Sequence, residues 1–143
     1  MFRRLIATSA SWVPLPLRLA IGTIFIAHGA QKVFGSFNGP GLAKFTAFPA
    51  PFPFMRPAWL WMSVAAFAEL IGGALLLLGL LTRVGAFLIF CTMLAAVVGV
   101  HWPKFFNPQG IEYPMSLVAG SLALLISGGG MASADRAILG RRR

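Results

Sequence analysis

The sequence predicts an all-α fold, a four-helix transmembrane bundle with both termini cytoplasmic, and three observations carry that reading. Four mostly apolar runs, 15–34, 58–81, 84–101 and 113–128, each approach the roughly 20 residues that a spanning helix needs. Hydrophobic residues make up 58% of the 143-residue chain and charged ones only 10%, with a mean hydropathy of +0.82, a balance foreign to soluble domains. The runs are rich in Ala, Leu, Gly and Phe, which suits helices and not the strict alternation of an outer-membrane barrel. Residues 1–143 therefore read as a single membrane domain, without an internal repeat, a low-complexity tract or a soluble module.

The first run, 15–34, follows Arg3, Arg4 and the polar stretch Ala7–Ser11. In an export signal the small polar residues would follow the apolar run, and here they precede it, so this span is expected to be retained. With four spans, Arg3, Arg4, Arg18, Arg83, Arg136 and Arg141 to Arg143 gather on one side, and Lys32, Lys44, Arg56 and Lys104 on the other. Eight against four places the termini in the cytoplasm. The net charge of +9 is spread along span ends rather than carried by a basic folded domain, which excludes nucleic acid and points to anionic lipid headgroups as the partner. Arg18, near a span end, is expected to extend its guanidinium to those headgroups.

Thr82 and Arg83 leave almost no room between the second and third spans, which predicts a tight antiparallel hairpin. The stretch 35–57 has too many glycines and prolines for a spanning helix but several phenylalanines, so it is expected to lie in the outer interface or to cap the bundle. The loop 102–112 adds Phe105, Phe106 and a Pro-Gln-Gly turn on the same side. Together the two loops are placed to roof an outward-facing cavity, or simply to anchor aromatic rings at the interface.

Ionisable residues inside spans mark the candidate site, because each is costly in hydrocarbon unless it has a partner. Glu69 lies in the middle of its run. His28, Gln31 and Lys32 share one face of the first span. Rise counting puts His28 about 20 Å and Glu69 about 13–15 Å from the cytoplasmic end, within side-chain reach across neighbouring helices. Glu69 with His28 or Lys32 is therefore the expected buried pair, serving either chemistry or helix register. At the outer face, connectivity brings His101, Lys104, Asn107, Glu112 and Tyr113 together, and Glu112 also suits the positive N-terminal end of the fourth helix.

The stretches Leu17 to Gly22, His28 to Gly35 and Glu69 to Arg83, with His101, Gly110 to Pro114, Gly128 to Gly130, Ser133 and Asp135, resemble the DoxX family over roughly residues 15–135. The resemblance implies a small multi-pass protein of the bacterial inner membrane and an oxidoreductase label. Namesake relatives are linked to thiosulfate:quinone oxidoreductase and terminal-oxidase complexes.

The residues constrain what redox chemistry that label can mean. Cys91 is the only cysteine, so a dithiol relay is excluded. His28 and His101 differ by about 8–10 Å in depth, too far for the two axial ligands of one haem. No ligand set has metal-site spacing, and no nucleotide-binding glycine loop is present. No intrinsic cofactor is expected, and a quinone is the expected substrate. Glu69 and His28 would move the proton, Lys32 would polarise the carbonyl, and His101, Glu112 and Gln31 would hold the ring. Electrons would come from a redox partner protein or a small reductant. The alternative is a non-catalytic scaffold, assembly subunit or apolar-solute carrier that uses the pair for stability. Gly72, Gly73, Gly85 and Gly99 are compatible with close packing inside one bundle or within a homo-oligomer.

Overall fold

The computed structural model describes residues 2–106, 108 and 110–140; Asn107, Gln109 and the basic tail 141–143 lie outside the described residues. Among the described residues the protein is all helical: α1 (Phe2–Leu5), α2 (Pro14–Phe34), α3 (Gly41–Phe45), α4 (Ala58–Leu78), α5 (Thr82–Ala96) continued by a π turn (Val97–His101), α6 (Glu112–Ser127) and α7 (Ala134–Gly140). The four long helices pack in chain order, α2 on α4, α4 on α5, α5 on α6, and α6 touches α2. α4 and the run Thr82–His101 are long and apolar enough to cross a membrane. α2 matches α4 at 21 residues, and α6 has 16. The short helices α1, α3 and α7 had no counterpart in the sequence reading, since four to seven residues are too few for a periodic signal.

Helix boundaries follow local chemistry. α2 opens on Pro14 and Pro16, which need no amide partner in a first turn, and closes at Gly35 in the left-handed conformation (φ 73°). α4 ends three residues earlier than the apolar run suggests. Gly79 turns left-handed (φ 65°), its amide donates to the Leu76 carbonyl, and the Leu80 amide reaches back to the Leu75 carbonyl. This paired capping pattern stops the helix although Leu80 and Leu81 are apolar. The expected tight hairpin is present, with α5 beginning at Thr82.

Small residues set the helix spacing. A Cβ on Gly29 would lie 2.6 Å from the Leu70 Cα, and one on Gly73 would lie 2.7 Å from the Ile26 amide nitrogen, so the α2 and α4 backbones are in direct contact. The adjacent Gly72 meets the other neighbour: its Cβ would stand 3.1 Å from the Gly85 carbonyl oxygen of α5. The two glycines thus pack α4 against both sides within one bundle. Ile21, Phe25, Leu76, Ala86, Ile89, Met93, Leu117 and Leu124 fill the centre, with at least one residue from every long helix.

One end of the bundle is built around Arg18, which does not reach for headgroups as expected. It is buried (2% exposed), and its guanidinium donates to the carbonyls of Leu76 (2.8 Å), Leu77 (3.2 Å), Gly129 (2.8 Å) and Ala132 (2.8 Å). Leu76 and Leu77 lie in the last turn of α4, where carbonyls lack helical partners and carry the negative end of the dipole. Asp135, also buried, compensates the charge and accepts from the amides of Leu81 (2.7 Å) and Thr82 (2.9 Å), capping the start of α5. Arg83 acts similarly on α6, donating to Ile126 O at 2.8 Å and to Ala7 O at 3.0 Å. The N-terminal segment is tied to the same end: Ser9 N donates to Ser127 O, Met131 N to Ser11 O and Gly130 N to the Thr8 hydroxyl.

Two expectations follow. Arg18→Met removes a charged donor from four carbonyls, of which Leu76 keeps an amide partner in Gly79, and uncovers the Asp135 charge; it should cost about 3–5 kcal/mol, read as a lowered unfolding midpoint in detergent or as loss of folded protein. Gly29→Ala, with nothing removed, should cost about 1–3 kcal/mol through overpacking against Leu70, in the same assay.

Candidate functional site

At the opposite end the helices separate around a cavity of about 780 Å³. Each long helix contributes to its wall: Phe25, His28 and Lys32 from α2; Trp61, Met62, Ala65 and Glu69 from α4; Leu88, Cys91, Thr92 and Met93 from α5; Tyr113, Pro114 and Leu117 from α6. The π turn brings Val100 and His101 onto the same wall. Such turns interrupt a helix at local cost and recur at functional sites. The segment 35–57 supplies a roof of Phe45, Phe48, Pro49, Pro51 and Met55. Pro51 is seated on the π turn, since a Cβ at Gly99 would lie 2.6 Å from its ring. Phe45 and Phe48 meet edge to face at 6.3 Å. A roof over the cavity is thus formed by the first loop, with the rings of α3 and its exit turned inward.

The dominant polar feature is an ion pair. Lys32 Nζ donates to Glu69 Oε2, and the ammonium also stands 5.3 Å from the centroid of the Phe45 ring. Glu69 is the more enclosed partner, its side chain 3% exposed against 21% for Lys32. Of the two partners expected for Glu69, the structure therefore selects Lys32. The reason is register: Gly29 against Leu70 fixes α2 on α4 so that position 32 lies opposite position 69. His28, one turn away, lines the cavity with an exposed side chain and makes no hydrogen bond or ion pair among the described residues.

The other residues singled out in the sequence divide. His101 lines the cavity. Gln31 shares a helix face with His28 only roughly; it backs the first loop, where a Cβ on Gly39 would lie 2.5 Å from the Gln31 carbonyl oxygen, and it is absent from the cavity wall. Glu112 is half-buried at the α6 N-terminus and also off the wall, which its neighbours Tyr113 and Pro114 do line. His101, Lys104 and Glu112 each have an interaction partner. No cluster of metal ligands occurs among the described residues. Sequence reasoning missed the α4 and α5 wall residues Trp61, Met62, Cys91 and Thr92. Trp61 precedes Gly79 by 18 residues and Cys91 follows Leu81 by 10, so no common spacing from the hairpin marked them as flanking one gap.

Among the described residues the site is a ligand-sized cavity between apolar helices, with the Lys32–Glu69 pair set in an otherwise apolar wall, in an all-helical protein with two helices long and apolar enough to cross a membrane. The family model described as DoxX matches residues 13–102, and the chain belongs to the DoxX family. The elements Gly110 to Pro114 and Gly128 to Asp135 lie beyond the matched residues. Among curated relatives, the chain is 30% identical over 133 positions, 84% of its length, to "Uncharacterized membrane protein Rv3486" of Mycobacterium tuberculosis (strain ATCC 25618 / H37Rv), covering 77% of that protein. It is 32% identical over 117 positions, 77% of its length, to "Putative oxidoreductase CatD" of Bacillus subtilis (strain 168), covering 76% of that protein. No solved structure matches the chain.

The unequal exposure of the pair gives a directional expectation. Lys32→Met leaves an enclosed carboxylate alone and should destabilise by about 3 kcal/mol or more, whereas Glu69→Gln leaves a partly hydrated ammonium and should cost about 1–2 kcal/mol. The double variant Lys32→Met/Glu69→Leu should recover most of the loss, because an apolar pair of similar volume replaces both charges. Unfolding midpoints of the three variants in one detergent test this.

Proposed function

We propose that the four long helices span the bacterial inner membrane with both termini cytoplasmic, and that the cavity binds a quinone or a similar flat, apolar carbonyl compound for reduction. The carrying observation is the Lys32–Glu69 pair set in the wall of an apolar cavity of about 780 Å³, within the range of about 300–1,000 Å³ typical of small-molecule sites. Phe25, Phe45, Phe48 and Trp61 offer aromatic faces and edges to a ring. The Lys32 ammonium, the better-exposed partner, donates to a ring carbonyl. Glu69 keeps that ammonium charged and oriented.

Reduction of a quinone to a quinol takes two electrons and two protons. The electrons come from an external donor, a redox partner protein or a small reductant, since the chain has no dithiol and no cofactor motif. The protons pass through the Lys32–Glu69 pair and His28, whose imidazole lies on the same wall one turn from Lys32. The oxidoreductase name of the Bacillus subtilis relative accords with this reading.

The test separates binding from folding. Protein purified in mild detergent is extracted for bound quinone, comparing wild type with Lys32→Met/Glu69→Leu at equal folded yield. Quinone in the wild type and about tenfold less in the double variant is the expected result. Absence of quinone from both, with the single variants poorly folded, would assign the pair to helix register and the protein to a scaffold role.

A further inference from the structure

The cavity is not closed on all sides, and its openings differ in chemistry. α4 and α5 touch at Gly72, Gly85 and Ile89, close to the hairpin. Farther from it the residues that would face each other line the cavity instead: Trp61, Val64, Ala65 and Ala68 on α4, and Cys91, Thr92 and Ala95 on α5. Val64 is 53% exposed and Cys91 is exposed as well, so both belong to the outer surface and to the cavity wall. The cavity therefore breaks through the side of the bundle between α4 and α5. This rim is apolar. Thr92 conforms, because its hydroxyl is occupied by the Leu88 carbonyl at 2.8 Å, leaving its methyl free. The α2–α6 flank has exposed wall residues too, His28 and Tyr113, but both carry polar atoms. The roof is seated on the π turn through Pro51 and on α2 through Gly39.

We infer that the ligand is a tailed membrane lipid, with its ring at Lys32–Glu69 and its hydrocarbon chain leaving sideways into the bilayer between α4 and α5, past Val64 and Cys91. The inference rests on the ring-binding reading above and adds the ligand class and the route. A chain in the α4–α5 cleft past Val64 and Cys91 exchanges lipid for protein surface at little cost in polar desolvation, whereas the same chain on the other flank would cover the His28 imidazole and the Tyr113 hydroxyl. The side opening also lets a molecule too insoluble for water reach the pair without displacing the roof. Cys91 has no assigned chemistry; it reports on the cleft, being the only thiol in the chain.

The experiment uses the full-length protein in lipid nanodiscs and follows alkylation of Cys91 by a membrane-permeable maleimide, with Cys91→Ser as the blank. Two fully ring-substituted benzoquinones, which cannot add thiols, are compared: one with a decyl chain and tetramethylbenzoquinone. Retention of each on the protein is measured in parallel. The expected result is that both are retained, that the decyl compound at about ten times its Kd slows alkylation about tenfold, and that the tailless one changes it less than about twofold. Retention of both compounds with no slowing by the decyl compound would overturn the side route while leaving the ring site standing. So would protection of a cysteine placed at Tyr113, in the Cys91→Ser background, with Cys91 itself unprotected. Retention of neither compound would refute the ring site, and the tailed-ligand inference with it.

Discussion

The guanidinium of Arg18 holds one end of this molecule together. Four long helices bring several dipole ends to that end of the bundle, where the C-terminal carbonyls of α4 and the N-terminal amides of α5 both lack helical partners. Arg18 takes the carbonyls, Asp135 takes the amides, and the two charges compensate each other across the hairpin. Removing charges from water is expensive, and the arrangement is stable because the acceptors are fixed, numerous and short of helical partners. Gly79 shows how little slack remains: a Cβ there would stand 2.3 Å from Arg18 Nη2. The segment at residues 7–11 and the exit from α6 are then stitched over the same cluster.

Fixing that end leaves the other free to diverge. Gly72 with Gly85, and Gly22 with Gly73, bring helix axes close near the hairpin, while bulky residues such as Trp61, Met62 and Met93 prevent the same approach farther along. A cavity results from chain geometry rather than from a missing side chain. Its roof is a consequence of the same divergence, since 35–57 must cross from the end of α2 to the start of α4 over the gap. Proline and glycine keep that crossing from becoming a helix, and Phe45, Phe48 and Met55 find apolar surface below them.

What the sequence made legible follows from how each signal arises. Long apolar runs and a carboxylate within one of them are read directly, because hydrocarbon tolerates so few sequences; with α5 taken together with its π turn, the helices begin and end within three residues of the runs, and Glu69 has a partner on α2. The choice of Lys32 over His28 was not legible, since it depends on the offset set by Gly29 against Leu70, a distance between helices that no periodicity encodes. Arg18 misled for a related reason: a basic residue near a span end snorkels unless carbonyls from elsewhere in the chain surround it, and those come from residues 76, 77, 129 and 132. The only aspartate in the sequence was the available clue, standing at the same end of the bundle with no other role. Gln31 and Glu112 were grouped with the site by spacing alone, and side-chain direction separates them from it.

The polarity of the cavity follows from the same register. Had His28 paired with Glu69, the wall would present a free ammonium at position 32 near the roof and a histidine locked in one tautomer. Instead the charge is neutralised in place, and what faces the cavity is the donor side of the pair, because Lys32 is several times more exposed than Glu69. An ammonium whose countercharge is buried behind it favours neutral acceptors such as ring carbonyls over anions, which would have to compete with Glu69 for it. Phe45 beside the same ammonium would, on that proposed reading, narrow the choice further to a group flat enough to slide beside an aromatic ring. Under the proposed function, the cavity would select by an offered proton donor and a planar slot, and the neutralised pair is what would let an uncharged, lipid-soluble molecule enter and leave.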